Sequence, residues 1–364
     1  MALVSNQWVA EYRDKLFANT ASYNTEIPMA GRKEPTEQLR RLLTNKDGLN
    51  CAVISDLLGA GKTFFLTHAR IDLVRTRQID EERQIVTLFT DQVGKGRVPD
   101  DAARAKVLII EELDRKKRHG YLLGALEAVV QWLHEDKKAI LTGDYWLKAP
   151  EALKVLEDLR VEHIPLEPLT KDLLLEAVEL RLGHWLQSLG LVQGSKKAKK
   201  EASKVVQEMF DPKLLQVLVP RTDPPVATFR EVLGLIKDLA LSLPLDHEPC
   251  RFTVDTFREW DATYRRGRLW SDEQRFFVEA LYQVIRDRAG DGSFWRPLDI
   301  DEWLEIIPEA EEFEDDLESE IIAPLARTGA LVPMGIPYSD PAREKDFRPP
   351  YLPSVRTFAQ ALLS

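Results

Sequence analysis

Asn50–Thr63 reads NCAVISDLLGAGKT, and the fold of the chain follows from how these residues must be laid out. Asn50–Ser55 is a short apolar run carrying Val53 and Ile54, the signature of a buried strand. Asp56–Lys62 brings Gly59 and Gly61 into a tight turn, and Thr63–Thr76 continues as a helix. A strand that passes through a glycine-bearing turn into a helix N-terminus makes a cradle for phosphate. The glycines let backbone N–H groups approach anionic oxygens, Lys62 adds positive charge, and Thr63 offers a hydroxyl to a divalent cation. The positive end of the helix dipole faces the same point. The stretch follows the spacing G-x-x-x-x-G-K-[ST], except that Asp56 stands at the first glycine. Aspartate tolerates unusual turn geometry, but a carboxylate turned inward has the wrong sign beside a phosphate. The candidate cradle is Asp56, Leu57, Leu58, Gly59, Ala60, Gly61, Lys62, Thr63 and Phe64.

The alternation continues outward from this point. Gln84–Thr90 reads as a second strand, Lys106–Ile110 as a third, Tyr121–His134 as a helix with apolar residues at helical spacing, and Lys138–Thr142 as a fourth strand. Strands alternating with helices imply an α/β fold, a parallel sheet covered on both faces with ligands at the carboxyl ends of its strands. Val107–Asp114 (VLIIEELD) is an apolar strand that ends in two carboxylates. Alternation sends Glu111 and Glu112 to opposite sides. Glu111 is the candidate metal residue, and Glu112 the candidate for polarising an attacking water. Glu34–Leu43 forms a short amphipathic helix upstream, preceded by residues 1–30 as a helix and a polar connector.

After Leu166 the pattern turns helical, with segments at Thr170–Leu189, Ala202–Phe210 and Phe229–Leu241. Gly194–Lys204 (GSKKAKKEASK) reads as a solvated, mobile face. The proline-bearing link Leu243–Arg251 leads to helices at Asp272–Ala289, Ile300–Ile307 and Glu312–Thr328, the last capped by Gly329. Ala330–Met334 and Asp346–Leu352 then suit a two-strand wing. Four parts are expected: an N-terminal helix and connector over 1–30, a nucleotide-binding domain over 31–165, a helical lid over 166–245, and a mainly α winged-helix module over 251–364.

Composition limits the partners. The 364 residues carry a formal charge of −10, which makes the molecule as a whole a poor general binder of polyanions. Cys51 and Cys250 have no metal-ligand spacing and are too few for a disulfide framework. This points to a reduced, cytoplasmic setting. Met1–Leu16 mixes charges among its apolar residues and lacks a signal-peptide core, and no apolar run approaches a membrane span, so no membrane partner is expected.

Taken together, the P-loop and the acidic strand resemble the AAA+ ATPases, and within them the branch of origin-recognition and replication-initiator ATPases and STAND switch ATPases. Further segments carry the likeness. Ile27–Leu43 (IPMAGRKEPTEQLRRLL) is similar to the motif before the nucleotide domain, where the adenine packs nearby, with Ile27 and Met29 as its contacts here. Ile140–Asp144 (ILTGD) resembles the sensor-1 strand, and either Thr142 or Asp144 would take the sensing role. Leu159–Thr170 resembles the segment joining domain to lid, where Arg160 would be a finger reaching a neighbouring subunit's nucleotide. Thr228–Leu239 resembles the start of the lid's last helix, where Arg230 would be the sensor-2 arginine. The resemblance implies ATP and Mg²⁺ as cofactors, ATP hydrolysis, and self-assembly or a protein partner.

Other signals carry less. Thr44–Asp47 (TNKD) lacks the spacer of the guanine-reading motif and lies upstream of the P-loop, which disfavours GTP. His68 has no histidine partners at metal spacing and reads as a helix-face residue. A P-loop kinase or phosphotransferase is an alternative, as is a DNA-binding initiator or transposition-type ATPase. Nucleic acid would bind through Arg115–Arg118, Lys196–Lys200 or Arg265–Arg268, whereas Glu309–Glu320 (EAEEFEDDLESE) is of the wrong sign for phosphate.

Overall fold

A computed structural model describes residues 16–17, 29–44, 50–56, 60–75, 84–93, 96–111, 119–133, 137–143, 156–157, 161–223, 225–242, 251–266, 270–289, 295–313, 316–334 and 350–363. Its sheet contains β1 (Cys51–Ser55), β2 (Ile85–Phe89), β3 (Val107–Glu111), β4 (Lys138–Gly143) and β5 (Val161–His163) in the order β2-β3-β4-β1-β5. Every pairing is parallel. The α/β architecture expected from the alternation is the one observed, and β1 lies inside the sheet between β4 and β5. Around it run α1 (Lys33–Thr44), α2 (Lys62–Arg75), the single turn α3 (Thr90–Val93) and α4 (His119–Trp132).

Alternation along the strands divides the sheet between two cores. Cys51, Val53, Leu108, Ile110 and Leu141 face one side, against Leu126, Val129 and Trp132 of α4. Ala52, Ile54, Ile109 and Ile140 face the other, against Leu39 and Leu42 of α1 and Phe65 and Leu66 of α2. Burial on both faces explains why these strands read as continuous apolar runs. β5 was missed by the sequence reading for the complementary reason: an edge strand of three residues, Val161, Glu162 and His163, has no apolar run to announce it.

The helical part begins with α5 (Lys171–Ser188), whose N-cap Thr170 accepts a hydrogen bond from the Leu173 N–H. Then come α6 (Ser195–Met209), α7 (Pro212–Leu218) and α8 (Phe229–Ser242). The lysine-rich stretch is solvated as expected, and it forms the first half of α6, an element the sequence began only at Ala202. Ala198, Ala202, Val206 and Met209 form its buried stripe, and the lysines occupy the exposed faces between. α7 was not anticipated.

The C-terminal part contains α9 (Val254–Arg266), α10 (Asp272–Ala289), α11 (Ile300–Ile306), α12 (Ala323–Arg327) and α13 (Val355–Leu363). α9 and α13 went unread in the sequence. The single helix expected over 312–328 is instead a 3₁₀ stretch at Pro308–Phe313, a π-helical stretch at Leu317–Ile322, and then α12. Like charges crowded at i,i+4 spacing and Pro324 both disfavour one continuous α-helix there. β6 (Leu331–Pro333) and β7 (Tyr351–Pro353) pair antiparallel, which supplies the expected hairpin.

One apolar core runs through the helices of 171–242 and the C-terminal segment, and it also includes Leu16 and Phe17. The ring of Phe252 stacks on Phe210 at 5.3 Å and meets the edge of Phe17 at 5.7 Å. Arg356 of α13 pairs with Asp238 of α8 at 2.6 Å and lies over the rings of Tyr264 and Trp260. Among the described residues no helix is long and apolar enough to cross a membrane.

Candidate functional site

The candidate phosphate cradle sits where β1 hands over to α2. Gly61 has φ +94°, a left-handed conformation open to glycine and costly for other residues. Its carbonyl accepts the first helical hydrogen bond, from the Phe65 N–H at 2.8 Å, so the N–H groups of the first turn of α2 point back at the loop. The entry to the loop is pinned as well, because the Asp56 N–H donates to the Gly143 carbonyl at the end of β4.

Lys62 Nζ donates to the Asp56 carbonyl at 2.6 Å, turning the ammonium back toward the end of β1. Thr63 Oγ1 donates to Glu111 Oε2 at 2.8 Å. This contact joins the P-loop to β3 although β4 lies between β1 and β3, and it puts a hydroxyl and a carboxylate side by side. Glu111 is buried, and its backbone carbonyl accepts from Thr90 Oγ1. Thr142 is buried on β4 beside Ile54, at the carboxyl edge of the sheet. Two adjacent hard oxygen donors match Mg²⁺, which takes one or two protein oxygens and completes its shell with phosphate and water. Among the described residues no group of three or more His, Cys, Asp or Glu side chains is placed to hold a metal alone.

Of the other candidate residues, Ala60 is buried in the turn, and the ring centre of Phe64 lies 4.5 Å from that of His68. Met29 lines a cavity of about 470 Å³ between α1 and α2, with Arg32, Thr36, Arg40, His68 and Asp72. Arg230 lies in the first turn of α8, where Thr228 Oγ1 accepts the Glu231 N–H. Ile27, Leu57, Leu58, Gly59, Glu112, Asp144 and Arg160 lie outside the described residues, as do the basic loop Arg115–Arg118 and Thr44–Asp47 beyond Thr44.

The residue that sequence reasoning missed is Arg32. It is 4% exposed and has φ +66°, directly after Gly31 at φ +59°. Two successive left-handed residues turn the chain sharply into α1, and such geometry in a non-glycine residue persists only where the surroundings fix it. Here the guanidinium is fixed on several sides. Nη1 donates to the Glu167 carbonyl in the link from β5 to the lid, Nη2 to the Ala60 carbonyl of the P-loop at 3.2 Å, and the group lies 6.0 Å from the ring centre of Phe229. Arg32, Asp56, Ala60, Glu167 and Phe229 line one narrow cleft. Burial lowers the pKa of Arg32, and the carboxylates of Asp56 and then Glu167 act against that. The Gly31-Arg32 pair ahead of an amphipathic helix was the signal available in the sequence; nothing local showed that the arginine would be buried.

No family model matches the chain, and no curated protein matches it. Among solved structures the chain resembles a Drosophila ORC bound to DNA, with 14% identity, 98% of this chain and 92% of that one covered, and a TM-score of 0.41. It also resembles the Aeropyrum pernix ORC1 protein in complex with DNA, with 15% identity, coverage of 97% and 96%, and a TM-score of 0.43. Cdc6p from Pyrobaculum aerophilum is similar at 12% identity, with coverage of 87% and 90% and a TM-score of 0.40.

Proposed function

We propose that this chain is an AAA+ nucleotide switch that binds ATP with Mg²⁺ and hydrolyses it, coupling the state of the nucleotide to engagement of a protein partner or of further copies of itself. The observation that carries the reading is the 2.8 Å contact of Thr63 Oγ1 with Glu111 Oε2, beside the lysine of a glycine turn at a helix N-terminus. Lys62 neutralises the terminal phosphates, and the N–H groups of α2 hold their oxygens. Thr63 and Glu111 hold the cation, which supplies charge neutralisation along the phosphates. Glu112 orients the attacking water, Thr142 or Asp144 senses the terminal phosphate, and the base packs against Ile27 and Met29. Arg160 acts across a subunit boundary and Arg230 from the lid. An arginine that touches the terminal phosphate favours one lid position only while that phosphate is present. The parts are the domain over 31–165, the lid over 166–245 and a winged-helix module over 251–364.

The test is binding and turnover of MgATP by the full chain. Lys62→Ala is expected to weaken binding by two decades or more, on the order of the loss when a charged group at a phosphate is removed. Glu112→Gln is expected to keep binding and lose turnover by roughly the same factor. Unchanged MgATP affinity in Lys62→Ala sinks the reading. A phosphotransferase would instead pass phosphate to a small acceptor, and no feature described above favours one.

A second reading, a DNA-associated initiator, is favoured by α6, whose exposed Lys196, Lys197, Lys199 and Lys200 form a basic face on an acidic molecule. Duplex binding through it would weaken with salt, with a logarithmic slope near −0.9 per phosphate neutralised. Changing the four lysines to glutamine should flatten that slope; an unaltered slope rejects this surface.

A further inference from the structure

The P-loop departs from its usual pattern at Asp56, where a carboxylate takes the place of a glycine beside bound phosphate. An uncompensated carboxylate there opposes binding of a polyanion. The fold brings a second unusual feature to the same place. Arg32, buried and held in a left-handed backbone conformation, sends its guanidinium into the cleft that Asp56 also lines and hydrogen-bonds the P-loop at Ala60. Neither feature is accounted for alone. A buried arginine that only bridged carbonyls would carry an unmatched charge, and an aspartate in a phosphate loop would repel its ligand.

We infer that Arg32 is a positioning residue of the nucleotide site: its guanidinium offsets the Asp56 carboxylate and holds the Ala60 turn against the Glu167 link. The inference rests on the reading of this loop as a phosphate cradle. Its geometry joins three elements separated in sequence. The turn before α1 supplies the cation, the P-loop supplies both the carboxylate and a carbonyl acceptor, and the link from β5 to the lid supplies a second carbonyl. Glu167 does not replace Asp56 as counter-charge, because its side chain is exposed and screened by solvent. Arg32 donates to two carbonyls through a planar fork, which a lysine cannot reproduce. Charge and bridging are therefore separable by substitution.

The experiment is a double-mutant cycle between Arg32→Gln and Asp56→Asn in the full chain, read by the dissociation constant for MgATP and by the nucleotide-free unfolding midpoint in urea. Arg32→Gln alone is expected to weaken MgATP by roughly tenfold or more, the scale of losing one close charge partner. Asp56→Asn alone should bind MgATP several-fold more tightly while unfolding at lower urea, because the buried guanidinium has lost its counter-charge. The double variant should bind within about threefold of the parent, a rescue that a merely structural arginine would not permit. Arg32→Lys should keep most of the affinity but lower the unfolding midpoint, since it retains charge and loses the two-carbonyl bridge. If Arg32→Gln does not fold, Asp56→Asn and Arg32→Lys still decide the matter: unchanged or weaker binding in Asp56→Asn overturns the inference. Equal effects of Arg32→Gln in both backgrounds, in binding and in unfolding, also overturn it. A parent that binds no MgATP refutes the nucleotide reading separately, and the coupling in unfolding midpoint then reports on the charge pair alone.

Discussion

At the scale of single residues, the contacts that matter were legible to different degrees. Lys62, Thr63 and Glu111 were candidates from spacing alone, and the structure brings Thr63 and Glu111 to 2.8 Å. Arg32 was not legible, because its role depends on a turn of two left-handed residues and on a lid link more than a hundred positions away. Cys51 shows the reverse case, a potentially reactive group silenced by place. It sits in the middle of the sheet with no exposure, and burial pushes its thiol up to about 12. The unfolded thiol ionises near 9.0, so between these values the unfolded chain has lost a proton that the folded chain keeps. Stability therefore falls as pH rises through that window. Iodoacetamide at about pH 8 is expected to leave Cys51 unmodified in the native protein and to modify it fully in urea, as read by peptide mass mapping. Rapid native labelling of Cys51 would show that the strand opens far more readily than its packing allows.

Elements were read well where one physical signal dominated. β1, β3 and β4 are buried on both faces, and their apolar runs fixed them to within a residue. Two that were misread lack such a signal: β5 is a three-residue edge, and the lysines of α6 hide the first half of a helix whose second half, from Ala202, was read as one. The buried stripe of α6 meets Gly183 of α5, where an added Cβ would lie 3.7 Å from the Ala198 backbone and 3.8 Å from Ala202 Cβ, ordinary contact distances. Gly183→Ala is thus expected to fit and to stabilise by about 0.5–1 kcal/mol through helix propensity. Gly31→Ala should do the opposite, since its Cβ would lie 2.6 Å from Leu173 Cδ1 in a backbone conformation at φ +59°. Urea unfolding of both variants checks the pair. Equal shifts of the same sign would mean that the α5–α6 packing or the turn before α1 is drawn wrongly. At α11 a full capping box links Asp299 and Glu302, and Asp299→Ala is expected to cost about 1 kcal/mol in the same measurement.

At the scale of the whole molecule, the lid and the C-terminal helices are joined by more than a linker. α13 packs on α7 from the lid side and on α10 from the C-terminal side, and Val355, Phe358, Ala359, Ala361 and Leu363 are all buried between them. Arg356 adds its ion pair to Asp238 of α8, and Phe252 stacks on Phe210. A body built this way moves as a unit, because a close-packed core resists deformation. The sequence suggested four parts in a row, since a proline-bearing link at 243–251 reads as a boundary and nothing local reveals that a helix nine residues long at the end of the chain closes a core begun at α5. The expected consequence is cooperative opening: amides of α5, α7 and α8 and those of α10 and α13 should exchange with deuterium through one event, with the same free energy and the same dependence on denaturant. Phe358→Ala should lower that shared free energy by roughly 3–5 kcal/mol, the usual cost of removing a buried phenyl group, and should do so in α5 and α8 as much as in α13. Lid amides that keep their protection in Phe358→Ala while α13 loses it would mean two independent bodies.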